Sequence, residues 1–176
     1  MLSILQLIVD AAAGVLGGVL LLRFWMQAIR VRPPAQVAHF TFTLTDWLVR
    51  PLRRVVPGIG GYDWASLLGA FLVVLLATSV LLLAGLPFQV ILAAAFERFL
   101  TWMVYGLIAL LIIEAIFSWV NPQAPLAPFV HALNAPLLRP LRRVVPPIGG
   151  IDFSLLVALI LLQIALFIIR KIFGGI

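Results

Sequence analysis

Apolar runs long enough to cross a bilayer alternate along this chain with shorter stretches whose apolar positions recur at helical spacing. The first run covers residues 2–29, about 40 Å of helix against a hydrocarbon layer of about 30 Å. Arg30, Arg32, Pro33 and Pro34 end it. Residues 35–56 change pattern: Val37, Phe40, Leu44, Trp47 and Leu48 form one stripe, and Gln36, His39, Thr43 and Asp46 the opposite one. That predicts an amphipathic helix, too polar to span and placed in the interface plane. The segment from Phe40 to Leu44 also alternates like a strand. Pro51 is expected to kink or end the helix, and the Pro-Gly-Ile-Gly-Gly at 57–61 forces a turn. A second span runs over residues 63–86, with Asp63 as its N-cap and Trp64 at the interface. Residues 88–97 read as a short interfacial helix, and a third span follows at 99–120. Leu126, Phe129, Val130, Leu133 and Leu137 mark a second amphipathic segment, 125–145. A fourth span, 152–170, is capped by Asp152.

One stretch occurs twice. Residues 50–63 read RPLRRVVPGIGGYD and residues 139–152 read RPLRRVVPPIGGID, identical at twelve of fourteen positions at an offset of 89. Such identity points to a tandem duplication, with units 1–87 and 88–176. Two crossings per unit insert both copies the same way up, so the halves are parallel repeats about a pseudo-two-fold axis along the membrane normal. The expected fold is an all-α membrane protein: four transmembrane helices in two parallel two-helix repeats forming one bundle. Each repeat carries an amphipathic interfacial segment and a cytoplasmic loop rich in Arg, Pro and Gly.

Composition agrees with that class. The chain is 64% hydrophobic and 10% charged, with mean hydropathy +1.22, where soluble domains are about 25% charged. Lys and Arg number 12 against 6 acidic residues. Eight of the twelve lie in loops 30–62 and 121–151, which places that face in the cytoplasm and both termini outside. Arg170 and Lys171 oppose this but are outnumbered. A cleaved signal peptide is not expected, since Met1-Leu-Ser-Ile lacks a basic start. With no cysteine, disulfides and thiol catalysis are excluded.

Candidate chemistry centres on charge. Arg50, Arg53 and Arg54 share a helical face, as do Arg139, Arg142 and Arg143, and each charge near an anionic leaflet contributes about 1 kcal/mol of attraction. Acidic lipid headgroups or an acidic protein partner fit such a collar; topology anchoring is the plainer role. Stacking aromatics are not interleaved, which argues against nucleic acid. Arg23 and Glu114 both lie about 9 Å inside the cytoplasmic boundary and align at offset 91, which suggests an ion pair bridging the halves. Asp10, on the Gly14 face, is expected to point into packed protein, with Arg170 as a weaker partner. Gly14, Gly17 and Gly18 form a small-residue seam for helix packing within the chain or in a homo-oligomer. Gln163 should hydrogen-bond to protein. His39 and His131 are not equivalent under the duplication, and no metal or cofactor is expected.

The paired blocks, with Leu22-Arg-Phe-Trp-Met-Gln27 and Ile116-Phe-Ser-Trp-Val120, resemble the YggT family, called YlmG in Gram-positive bacteria and plastids. The resemblance covers essentially the whole chain. It implies a multi-pass protein of the bacterial cytoplasmic membrane without known enzymatic activity. Members are linked to osmotic-stress tolerance, to cell-division and cell-shape gene neighbourhoods, and in plastids to nucleoid distribution and cytochrome b6 maturation. Glu114 stands where many members carry Arg.

The function expected is a non-enzymatic membrane scaffold whose arginine collar engages acidic lipid or a membrane or cytoplasmic partner. The rival is a channel or transport component with Arg23, Glu114 and Asp10 lining a polar path.

Overall fold

A computed structural model describes residues 2–80, 85–145 and 152–174. Six helices follow in order: α1 (Leu2–Ala28), α2 (Ala35–Val55), α3 (Trp64–Thr78), α4 (Phe88–Val120), α5 (Ala127–Val144) and α6 (Ser154–Phe173). Three of them, α1, α4 and α6, are long and apolar enough to cross a membrane. Helix α3 is apolar but has 15 residues, about 22 Å, and residues 81–84 of the expected span lie outside the described ones.

The expected break before Phe99 is absent, and Pro51 does not end its helix. Helix α2 runs through both the alternating stretch at Phe40 and Pro51, and ends at Val55. Helix α4 is continuous over 33 residues, with no separate helix at 88–97. Nothing between Phe88 and Tyr105 is Gly or Pro, and the one cation there is accommodated: Arg98 meets Asp10 at 2.8 Å and lies over the Trp102 ring. Asp10 is therefore paired with Arg98, and Arg170 donates instead to the Tyr105 hydroxyl.

The amphipathic helices bury their small and polar side chains. Thr41, Thr45 and Val49 of α2 face protein, while Phe40 and Trp47 are exposed. Val130, Asn134 and Leu138, each 89 residues further on, are buried in α5, together with Leu133 and Ala135. Thr45 Oγ1 donates to the Thr41 carbonyl, and Asn134 Nδ2 to that of Leu110. Apolar Val49, Leu133 and Leu138 are fully buried beside these polar residues, whose hydroxyl and amide groups find partners within the protein.

Helix α1 packs on α3, and α4 on α6. Ala13, Leu20, Val49, Ala70, Val74 and Phe99 belong to the main apolar cluster. Of the three glycines expected at a packing seam, Gly17 alone is closely approached: a Cβ there would sit 2.6 Å from Trp102 Cζ3. Gly14 and Gly18 have open space, and Gly18 lines an apolar cavity of about 310 Å³ between α1 and α4.

The two halves meet through α4, which packs against α3 and α1. A pseudo-two-fold would also set α6 against α1, and among the described residues α6 packs substantially on α4 and α5 only. The asymmetry has a cause in the side chains. Phe71 of α3 stacks edge-on against Phe96 and Phe99 of α4, whereas the corresponding positions elsewhere are Ile160, Leu5 and Ile8.

Candidate functional site: the arginine blocks and their carboxylates

The last turns of α2 carry Arg50, Arg53 and Arg54 toward a tight turn. Gly60 and Gly61 both adopt positive φ (69° and 83°), a conformation glycine reaches without strain. The turn folds residue 63 back onto residue 53. Arg53 then grips Asp63 with two hydrogen bonds, Nη2 to Oδ2 at 2.6 Å and Nε to Oδ1 at 3.3 Å. Asp63 also accepts from the Ser66 amide and hydroxyl, so the same carboxylate caps α3. Burial opposes its charge, but the bonds from Arg53 and Ser66 outweigh that and hold the carboxyl below its ordinary range.

The second block repeats the clasp. Arg142 Nε donates to Asp152 Oδ2 at 2.8 Å, and the Ser154 amide to Asp152 Oδ1 at 3.0 Å. Here too burial is outweighed, by Arg142 and Ser154, and the pKa of Asp152 is lowered. The expected cap is displaced by one residue: Phe153 occupies the N-cap position of α6, and Asp152 reaches the helix start from just outside it. Residues 146–151 of this block lie outside the described residues.

The expected pair between Arg23 and Glu114 does not form. Arg23 is buried and donates to Thr45 Oγ1 at 2.6 Å and Asp46 Oδ1 at 2.8 Å, with Asp63 at 3.6 Å. Glu114, also buried, meets His131 Nδ1 at 2.8 Å, with Arg142 at 3.6 Å. Each charge is compensated by the helix that follows its own, Arg23 by Asp46 of α2 and Glu114 by His131 of α5. The clasp keeps its signs in both blocks, Arg53 with Asp63 and Arg142 with Asp152, and only the buried charge beside it changes, Arg23 near Asp63 in one and Glu114 near Arg142 in the other. Arg23, Glu114 and Asp10 thus do not converge on a shared path.

Sequence reasoning passed over Asp46, His131 and Arg98 as partners. Asp46 could have been found from its place four residues before Arg50, an ion-pair spacing on a helix; the two meet at 2.7 Å. Nothing in the sequence pointed His131 at Glu114.

The collar therefore has two kinds of arginine. Arg50, Arg53 and Arg142 are committed to carboxylates. Arg54, Arg139 and Arg143 are exposed and have no carboxylate partner among the described residues. Arg139 stands 89 residues after Arg50, but Ala135 occupies the place of Asp46. Among the described residues no group of three His, Asp or Glu side chains could hold a metal ion. Gln163, expected to bond to protein, is exposed on α6.

The chain matches the CCB3/YggT family over residues 1–84 and 93–173. It is 35% identical over 170 residues to a Vibrio alginolyticus protein of the proC 3′ region, covering 90% of this chain and 89% of that one. It is 35% identical over 147 residues to YggT of Escherichia coli K12, covering 83% and 78%, and 34% identical over 156 residues to a Pseudomonas aeruginosa protein. No solved structure matches it.

Proposed function

The chain belongs to the CCB3/YggT family and has helices suited to a membrane, and on that basis we propose that it is a non-enzymatic scaffold that gathers anionic lipid headgroups at one leaflet. The two halves cross the membrane twice each and in the same sense, with α2 and α5 in the cytoplasmic interface and both termini outside. We read that membrane as the bacterial cytoplasmic one, with envelope organisation or osmotic tolerance as the setting, a reading that the family resemblance supports.

The observation that carries this reading is the split among the block arginines. Arg53 and Arg142 are committed to Asp63 and Asp152, whereas Arg54, Arg139 and Arg143 are exposed near the ends of two helices that also expose Val55, Val144 and Trp47. Guanidinium groups flanked by apolar side chains suit a boundary between phosphate and acyl chain.

The test is lipid analysis of protein extracted in mild detergent. Wild-type protein should retain phosphatidylglycerol and cardiolipin above their share of the membrane. The triple variant Arg54→Ala, Arg139→Ala, Arg143→Ala should lose that enrichment while keeping its thermal midpoint. Unchanged enrichment in the triple variant rejects the proposal, and loss of a co-purifying protein with lipid unchanged would make the occupant a protein instead.

A further inference from the structure

One stripe of α3 comprises Leu67, Phe71, Val74 and Thr78, and Phe71 at its middle meets α4. The spacing of four, three and four keeps these residues in line along a helix. Phe71 packs on Phe96 and Phe99, Val74 is fully buried in a cluster with Ala95 and Phe99, and Thr78 is buried. The positions 89 residues on are Leu156, Ile160, Gln163 and Phe167 of α6. All four are exposed, because α6 uses Ser154, Ala158 and Leu166 to pack against its neighbours. A face that works as a helix-packing seam in the first half therefore stands uncovered in the second.

The glutamine says what should cover it. Gln163 is the tenth residue of the 20-residue α6, midway along an apolar helix long enough to span. Lipid offers its amide neither donor nor acceptor. A two-fold axis along the membrane normal would bring the same stripe of a second copy against this one at equal depth, so that each Gln163 faces the other. A carboxamide is self-complementary, each supplying a donor and an acceptor. One polar residue in an otherwise apolar seam of this spacing also sets register.

We propose that α6 pairs with α6 of a second copy of this chain along Leu156, Ile160, Gln163 and Phe167, with the two Gln163 amides hydrogen-bonded at its centre. The contact is isologous, buries an amide otherwise left in hydrocarbon, and is independent of lipid binding by the arginines.

The absence of cysteine permits a direct test in native membranes. Single variants Ile160→Cys, Phe167→Cys and Leu161→Cys, the last on the flank of the stripe, are oxidised in the bilayer. Disulfide-linked dimers should form at 160 and 167 and be several-fold scarcer at 161. Equal yields at all three positions, or none at any, overturn the proposal; so does a mixed dimer of Ile160→Cys with Ile8→Cys in place of self-linkage, since it would seat α6 on α1. Gln163→Leu, an exposed change that spares the fold, should lower the dimer fraction about three- to ten-fold, with Gln163→Asn intermediate. An undiminished dimer in Gln163→Leu removes the amide pair from the interface and with it the proposal.

Discussion

Arg53 and Asp63 are ten residues apart in the chain and 2.6 Å apart in space, and the carboxylate so held is 2% exposed. The same pairing recurs between Arg142 and Asp152 at 2.8 Å. The clasp joins the end of α2 to the start of α3, and the end of α5 to the start of α6, so it constrains the angle between them.

Arg53→Ala should destabilise the protein by about 2 kcal/mol. Breaking a fully buried pair costs about 3–5 kcal/mol because a lone charge is left behind, but Arg53 is itself half in solvent, which lowers the loss. Arg142→Ala should cost less, since Asp152 is the more exposed carboxylate. Thermal unfolding in detergent measures both, and Arg53→Lys should fall between wild type and Arg53→Ala.

Stability should respond to acid through these carboxylates. Asp63 and Asp152 have folded-state pKa values below the ordinary 3.8. Their contribution is complete above that unfolded value and is lost as pH falls through the lower folded one. The midpoint contributed by the clasps should be flat from about pH 8 to pH 5 and decline below about pH 4. The double variant Asp63→Asn, Asp152→Asn should start lower at neutral pH and show a shallower acid decline; an unchanged slope would assign the acid sensitivity elsewhere.

Arg23 and Glu114 should behave as independent sites. Arg23→Gln breaks contacts with Asp46 and Thr45, and Glu114→Gln breaks those with His131, so the double variant should lose the sum of the two effects within about 0.5 kcal/mol. A charge swap, Arg23→Glu with Glu114→Arg, should not restore stability. A coupling above about 1 kcal/mol in the double-mutant cycle would contradict the separate compensation of the halves.

Gly17→Ala should cost about 1–3 kcal/mol through overlap with the Trp102 ring. Gly14→Ala and Gly18→Ala should be neutral or slightly stabilising, since their added Cβ meets nothing within 4 Å. Pairing Gly17→Ala with Trp102→Leu should recover part of the loss, measured by the same melting assay.

Hydropathy and the repeated block were enough to predict an all-helical chain with long apolar helices and the Asp63 cap. These follow from composition and local spacing, which act over a few residues and survive any packing arrangement. The boundary at Glu97-Arg98 was misjudged because a charge was weighed without Asp10, the neighbour that accommodates it. Equal depth in the bilayer suggested pairing Arg23 with Glu114, yet depth constrains one coordinate only. The partner was decided by which side chain the next amphipathic helix swung into reach, Asp46 in one half and His131 in the other. Tertiary structure likewise chose Gly17 from three glycines, and separated the arginines that clasp from those left free. It also set the halves in a row, because one aromatic joint, Phe71 with Phe96 and Phe99, exists on one side of α4 and has only Ile160, Leu5 and Ile8 as counterparts elsewhere.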